Sequence, residues 1–256
     1  MSVLSYLQLR ASHAVLSKAE QESIARSIGA VQTRLAQLFD TSVVEQFRFG
    51  SSTRGTILPR SMDEQSDIDY MVVFSDGNRV PQTYLARLRR FAEMYYPSSA
   101  IKQSSPTIVL ELNHIKFDLV PALRDWWSGY QIVDGQGGWR DTNPNDFNSV
   151  LTRKNDEHSS LLKPLIRLIK LWNAQNGYIY ESFGLEKWIV DQSYWLCSNL
   201  RDYLFRAISN MPDTNTQWRN EKIHRAKDIV EQTREYESAG CATLAEREIK
   251  KLIPEF

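Results

Sequence analysis

Residues 66–74, Ser-Asp-Ile-Asp-Tyr-Met-Val-Val-Phe, set two carboxylates at i and i+2 at the head of an apolar run. Side chains alternate across a strand, so Asp67 and Asp69 project from one face. Two acids side by side repel each other and are costly unless a cation lies between them. A hard cation of the magnesium type, held by one or two carboxylates and by substrate phosphates, fits that arrangement. The preceding segment, Phe49-Gly50-Ser51-Ser52-Thr53-Arg54-Gly55-Thr56, is a small-residue turn. Gly50 and Gly55 let the backbone turn tightly and approach a ligand, while Ser51, Ser52 and Thr56 supply hydroxyls. Together they read as a cradle for a triphosphate and its metal. Each piece alone is ordinary: Asp-x-Asp also ends solvated strands or caps turns, and Gly-Ser-Ser-Thr is common in loops. The conjunction carries the reading, with sixteen positions from Ser51 to Asp67.

Two metals need a third carboxylate. Residues 107–112 (Thr-Ile-Val-Leu-Glu-Leu) and 115–120 (Ile-Lys-Phe-Asp-Leu-Val) are β-prone runs separated by Asn113-His114, which predicts a hairpin. In the second run Ile115, Phe117 and Leu119 share one face, and Lys116, Asp118 and Val120 the other. An acid between Phe117 and Leu119 at mid-strand is either an edge-strand surface residue or the third ligand. Lys116 beside it reads as an ion-pair partner.

A glycine-serine turn, then Asp-x-Asp, then a distant Asp on a neighbouring strand resembles the polymerase-beta-like nucleotidyltransferases. More narrowly, Phe-Gly-Ser-Ser-Thr-Arg-Gly-Thr with Ser-Asp-Ile-Asp-Tyr and Phe-Asp-Leu-Val-Pro-Ala-Leu resembles the bacterial cGAS/DncV-like nucleotidyltransferases (CD-NTases). These are relatives of cyclic GMP-AMP synthase and oligoadenylate synthetase. Residues 139–144 (Trp-Arg-Asp-Thr-Asn-Pro), 165–173 (Leu-Ile-Arg-Leu-Ile-Lys-Leu-Trp-Asn) and 182–186 (Ser-Phe-Gly-Leu-Glu) look like that family's helical half. The resemblance runs from about residue 45 to about 190. It implies an α/β (α+β) fold: a nucleotidyltransferase palm with a mixed sheet, expected over residues 1–144, packed on a helical lobe over 145–256 that closes the nucleotide cleft.

The composition is compatible with this. A chain of 256 residues can bury a sizeable core. Lys+Arg and Asp+Glu both number 31, which argues against coating nucleic acid through bulk charge and leaves a local basic groove open. Cys197 and Cys241 have no metal-ligand spacing and suggest a reducing compartment. The first seven residues are too short and polar for a signal peptide, and no apolar run approaches membrane-spanning length. A cytoplasmic protein is expected.

Periodicity supplies the elements. Ser17-Lys18-Ala19-Glu20 is a capping box, and Ile24, Ile28, Val31, Leu35 and Leu38 predict an amphipathic helix to about residue 39. Glu45, Phe47 and Phe49 alternate into the glycine turn as a strand. A helix from about 81 to 96 would bury Tyr84, Leu88, Phe91 and Tyr95. Residues 124–159, rich in Gly, Asn, Asp and Trp, read as an irregular crossing between lobes, in which Trp126, Trp127 and Trp139 pack the lobes or line a cleft. Leu161, Leu165, Leu168 and Trp172 form one helical stripe and Lys163, Arg167 and Lys170 another, with Pro164 marking a helix start or a kink. Trp188, Tyr194 and Trp195 read as core in a helical run, and the histidines as structural or surface residues.

The resemblance assigns roles within this frame. Asp67, Asp69 and Asp118 would hold two Mg2+ ions (Mn2+ being an alternative), and Asp118 would take or orient the proton of the attacking hydroxyl. Gly50, Ser51, Lys170 and Ser182 would bind the phosphates. Phe183 would stack on the base, although core packing accounts for it equally well. The reaction would join nucleoside triphosphates into a cyclic or linear oligonucleotide that binds a separate effector protein, in antiphage signalling. Other classes stay open: transfer of a nucleotide to a macromolecule such as a tRNA 3′ end or a protein, or a non-catalytic nucleotide-binding module.

Overall fold

The computed structural model describes every residue except 105, 126, 128 and 256, so Trp126 lies outside the described residues. The chain clusters into two compact units. One comprises Ser17–Arg60 and Gln65–Val150; the other comprises Met1–Leu16, Ser61–Glu64 and Leu151–Phe256. The expected division at 144/145 differs from this mainly at the N-terminus. Helix α1 (Val3–His13) buries Val3, Tyr6, Leu7 and Ala11, and clusters with the C-terminal helices rather than with the sheet. Its amphipathic pattern says that one face is covered, not by what.

In the sheet unit, α2 (Lys18–Phe39) starts at the expected capping box. Ser17 Oγ accepts from Glu20 N, and the Glu20 carboxylate accepts from Ser17 N at 2.8 Å. It lies against β1 (Val43–Arg48), which enters the short helix α3 (Ser51–Arg54) through Gly50. Then come β2 (Asp67–Phe74), α4 (Pro81–Tyr95), β3 (Ala100–Ser104), β4 (Thr107–Glu111) and β5 (Lys116–Asp125). The described sheet runs β1-β2-β5-β4-β3, with β2 and β5 parallel and the other pairs antiparallel. It is therefore mixed, as expected, and β4–β5 is the expected hairpin.

Both faces of the central strands are covered, which is why β2 reads as a continuous apolar run after Asp69. On one face Met71, Val73, Val120, Ala122 and Ile132 form a core over which Phe47, Phe49 and Tyr130 pack. On the other, Ile68, Tyr70, Val72, Phe74, Phe117 and Leu119 are buried. There Phe74 meets Tyr84 of α4 at 5.1 Å between ring centroids, and Leu88 and Phe91 of that helix are also buried.

The segment read as an irregular crossing is largely regular. It holds β6 (Gly129–Val133), paired with the end of β5, then β7 (Trp139–Thr142) and helix α5 (Asp146–Glu157). Its Gly and Asp residues make a hairpin turn: Asp134 Oδ1 accepts from Gln136 N and Gly138 N. Turn chemistry is the same in a hairpin and in a linker, and strands this short show little alternation. Trp139 packs edge-on to Tyr84, whereas Trp127 is exposed.

The helical unit adds α6 (Leu162–Gln175), α7 (Ser182–Asp191), α8 (Leu200–Ser209), α9 (Gln217–Ser238) and α10 (Ala242–Ile249) around α1. Pro164 sits in the first turn of α6, where its missing N–H costs nothing. Trp195, read as core, is 76% exposed. Helix α7 ends at Asp191, and the chain leaves it through Leu196 at φ 65°, so the helical register no longer applies there. No described helix is long and apolar enough to cross a membrane.

Candidate active site

Strand pairing brings the three acids together. In the parallel β2–β5 ladder Asp67 pairs with Lys116 and Asp69 pairs with Asp118. Registered residues on neighbouring strands point to the same face, so Asp67, Asp69 and Asp118 extend the face that carries Met71, Val73, Val120 and Ala122. Lys116 Nζ lies 3.6 Å from Asp67 Oδ2, both half-buried, so the lysine read as the ion-pair partner of Asp118 pairs instead with Asp67, its registered neighbour on β2.

The glycine turn closes onto the second acid. Phe49 N donates to Asp69 O at 3.0 Å, and Gly50 adopts φ 73°. A Cβ at Gly50 would lie 1.8 Å from Asp69 Oδ2, so glycine is required both by the backbone conformation and by the close approach. Past it, Ser51 O accepts from Thr56 N and Ile57 N, with Gly55 in the left-handed conformation at the end of α3. Ser52 Oγ donates to Phe49 O and Thr56 is fully buried, whereas Ser51 stays half-buried at the start of α3.

Asp118 is the electrostatically unusual member. It sits on an interior strand, opposite Val109 on β4 and Asp69 on β2, and not at the sheet edge. Its Oδ1 is buried with no hydrogen-bond partner among the described residues. Burial, and then the neighbouring Asp67 charge, push its pKa up to about 6 against the pull of Lys116. Among the described residues no three His, Cys, Asp or Glu side chains form a ready metal cage. The donor set nevertheless fits a magnesium-type ion, which takes hard oxygens from one or two carboxylates and completes its shell with substrate phosphates and water. The buried, unpartnered oxygen of Asp118 is what such an ion would satisfy.

The helical unit carries the other predicted residues. The basic stripe of α6 is not a solvated face: Lys170 is buried, and its Nζ lies 3.3 Å from Oε1 of the fully buried Glu186 on α7. Glu186 was not singled out in the sequence; the signal was an acid between the buried Leu185 and Ile189. Ser182 and Phe183 open α7, whose N-cap is Glu181: its carboxylate accepts from Phe183 N at 2.9 Å and Gly184 N at 2.6 Å. Phe183 is 43% exposed, with Lys187 Nζ 5.8 Å from its ring centroid, so it is not part of the core. Three of the four histidines have hydrogen-bond partners: His158 meets Tyr203 OH, His224 meets Asp213 and His114 meets Ser27.

The raised Asp118 pKa has a stability consequence with a definite sign. Below about pH 4 the residue is protonated in both the folded and the unfolded chain and costs nothing. Above about pH 6 the folded protein carries a buried charge, a penalty of about 3 kcal/mol. With chelator present, Asp118→Asn should therefore melt higher than the parent at pH 8, with the gain fading towards pH 4. An unchanged or lower melting temperature at pH 8 would contradict this electrostatic account.

Comparison with known proteins places the chain. The family model for the Second Messenger Oligonucleotide or Dinucleotide Synthetase (SMODS) domain matches residues 1–155. A probable cyclic nucleotide synthase of Bacillus cereus (strain VD146) is 30% identical over 43% of this chain and 37% of its own length. The chain thus spans little more than a third of that curated relative. Among solved structures, Escherichia coli MS115-1 CdnC with ATP superposes with a TM-score of 0.73 at 16% identity, covering 100% of this chain and 98% of that one. Bradyrhizobium diazoefficiens CdnG with GTP gives 0.69 at 13% identity, covering 96% and 97%. Vibrio cholerae DncV in its apo form gives 0.66 at 13% identity, covering 99% and 80%. At these identities the likeness establishes the fold. Because the family model matches more than half of its length, the chain belongs to the second messenger oligonucleotide or dinucleotide synthetase family, the CD-NTases that its glycine turn and three aspartates resemble.

Proposed function

We propose that this protein is a metal-dependent nucleotidyltransferase that joins nucleoside triphosphates into a cyclic or linear oligonucleotide second messenger. The observation that carries the reading is the Asp69–Asp118 register, which sets a buried, unpartnered carboxylate oxygen beside two further acids at a tight glycine turn. The name of the Bacillus cereus relative, a probable cyclic nucleotide synthase, supports it, as do family neighbours solved with ATP and GTP.

Asp67, Asp69 and Asp118 would hold Mg2+ or Mn2+, which when bound supplies Lewis-acid activation of a hydroxyl and neutralises phosphate charge. The chain's own groups supply the rest. Ser51, at the start of α3, offers a hydroxyl to a phosphate oxygen beside a glycine that lets the backbone come close. Lys170 supplies a compact cation for the triphosphate, and Ser182 a hydroxyl at the exposed start of α7. Phe183 offers an open ring face on which a base stacks. Asp118 orients the attacking 2′- or 3′-hydroxyl and accepts its proton. The hydroxyl oxygen then bonds to the α-phosphorus as pyrophosphate leaves. We further propose that the product acts on a separate effector protein in bacterial antiphage signalling, and that the enzyme works in the cytoplasm, where its triphosphate substrates are.

Asp67→Asn/Asp69→Asn should abolish product formation from the four NTPs without lowering the melting temperature, since it removes two like charges. Full turnover in that variant under Mg2+ would sink the proposal. Asp118→Asn should keep measurable ATP binding while turnover falls about 10²- to 10⁴-fold; a loss confined to affinity would remove it from the proton transfer. Phe183→Ala should weaken NTPs by about 1–3 kcal/mol, more for purines, and leave inorganic tripolyphosphate untouched. Equal losses for every ligand, tripolyphosphate included, would show that the ring does not read a base.

A further inference from the structure

We propose that Glu186 is the positioning residue for Lys170: its buried carboxylate holds the lysine ammonium in place for the triphosphate. This rests on the triphosphate contact assigned to Lys170 above. Glu186 is fully buried and Lys170 nearly so, with 3.3 Å between Nζ and Oε1. Around the acid, α7 buries Leu185, Ile189 and Val190. A carboxylate in such surroundings loses its hydration, and two apolar side chains of similar volume would hold a pair of helices at no greater cost. Helix packing alone therefore does not account for the pair. A lysine whose ammonium must be held at one place within a buried helix contact does, because the carboxylate 3.3 Å away ties its long flexible stem to α7. An ammonium carries three donors, so a contact to Glu186 is compatible with contacts to phosphate oxygens.

A second buried polar residue on α6 works in the same direction. Asn173, three residues after Lys170 and thus on the same face, donates from Nδ2 to Tyr180 O at 2.9 Å and accepts at Oδ1 from Tyr180 N at 3.0 Å. This clamp fixes the turn that leads into α7. Farther along α7 the Lys170–Glu186 pair fixes the helix itself. Between them the two contacts set the register of α6 against the start of α7, where Ser182 and Phe183 stand.

The test compares Glu186→Gln, Glu186→Asp, Lys170→Met and the double variant Lys170→Met/Glu186→Gln in Mg2+ buffer. Tripolyphosphate affinity is measured by calorimetry, KM and kcat with ATP, and melting temperature separately. Glu186→Gln should weaken tripolyphosphate binding and raise KM about tenfold or more, with a smaller change in kcat. Lys170→Met should do the same, and the double variant should bind no more weakly than Lys170→Met alone. Glu186→Asp, which keeps the charge, should recover part of the loss, and it decides the question if Glu186→Gln does not fold. A merely structural Glu186 would lower the melting temperature and leave tripolyphosphate affinity at the parent value. That result together with a loss in Lys170→Met overturns the positioning role alone. Parent-like affinity in Lys170→Met instead overturns the triphosphate contact on which the inference rests.

Discussion

The parallel ladder between β2 and β5 is the contact on which the candidate chemistry depends. Its register sets Asp69 against Asp118 and Asp67 against Lys116. Side chains alternate from one residue to the next, so a slip of β5 by a single residue would send Asp118 to the opposite face, among Tyr70, Phe74 and the residues of α4. The register is held by the apolar pairs that follow it, Met71 with Val120 and Val73 with Ala122, which are buried in one core. Hydrophobic packing at one end of the ladder thus fixes the position of repelling charges at the other. Parallel pairing also demands a long connection between β2 and β5, and α4, β3 and β4 fill it, covering one face and flanking the acid strand.

Charge is managed differently in the two units. In the sheet unit like charges gather, and their repulsion is only partly relieved by Lys116, which leaves Asp118 with a raised pKa and an unpartnered oxygen. Such a set is costly to the fold and suited to a cation, the pattern expected where function outweighs stability. In the helical unit the buried charges are opposite and paired, Lys170 with Glu186. There the arrangement restrains a cation instead of awaiting one.

Much of this was legible in the sequence because it rests on short-range patterns. The capping box at Ser17 and Glu20, the Asn113-His114 hairpin and the alternation that pairs Asp67 with Asp69 depend on spacing alone, and the structure has all three. The acids converge as expected because strand parity leaves few choices. What escaped notice depends on tertiary partners. The β6–β7 hairpin is written in glycine and aspartate, the same letters as a linker. Helix α1 advertises an apolar face but not the C-terminal helices that cover it. Trp195 looks like core until the helix before it ends. Glu186 is one acid in an apolar helix, and only the neighbouring α6 shows that it faces a buried lysine. Gly50 was readable as a turn residue, but the reason no side chain fits there is Asp69, which lies nineteen positions away in sequence and within contact in space.

The central claim is that Asp67, Asp69 and Asp118 share a divalent cation with a nucleoside triphosphate. Crystals grown with Mn2+ and a non-hydrolysable ATP analogue, measured at an anomalous wavelength for manganese, test it directly. The account predicts an anomalous peak touching carboxylate oxygens of Asp67 and Asp69, with Asp118 Oδ1 turned to a metal or to its bound water, and triphosphate oxygens on the same ion. An ordered nucleotide with no manganese signal at these carboxylates, or manganese bound elsewhere in the protein, would contradict it.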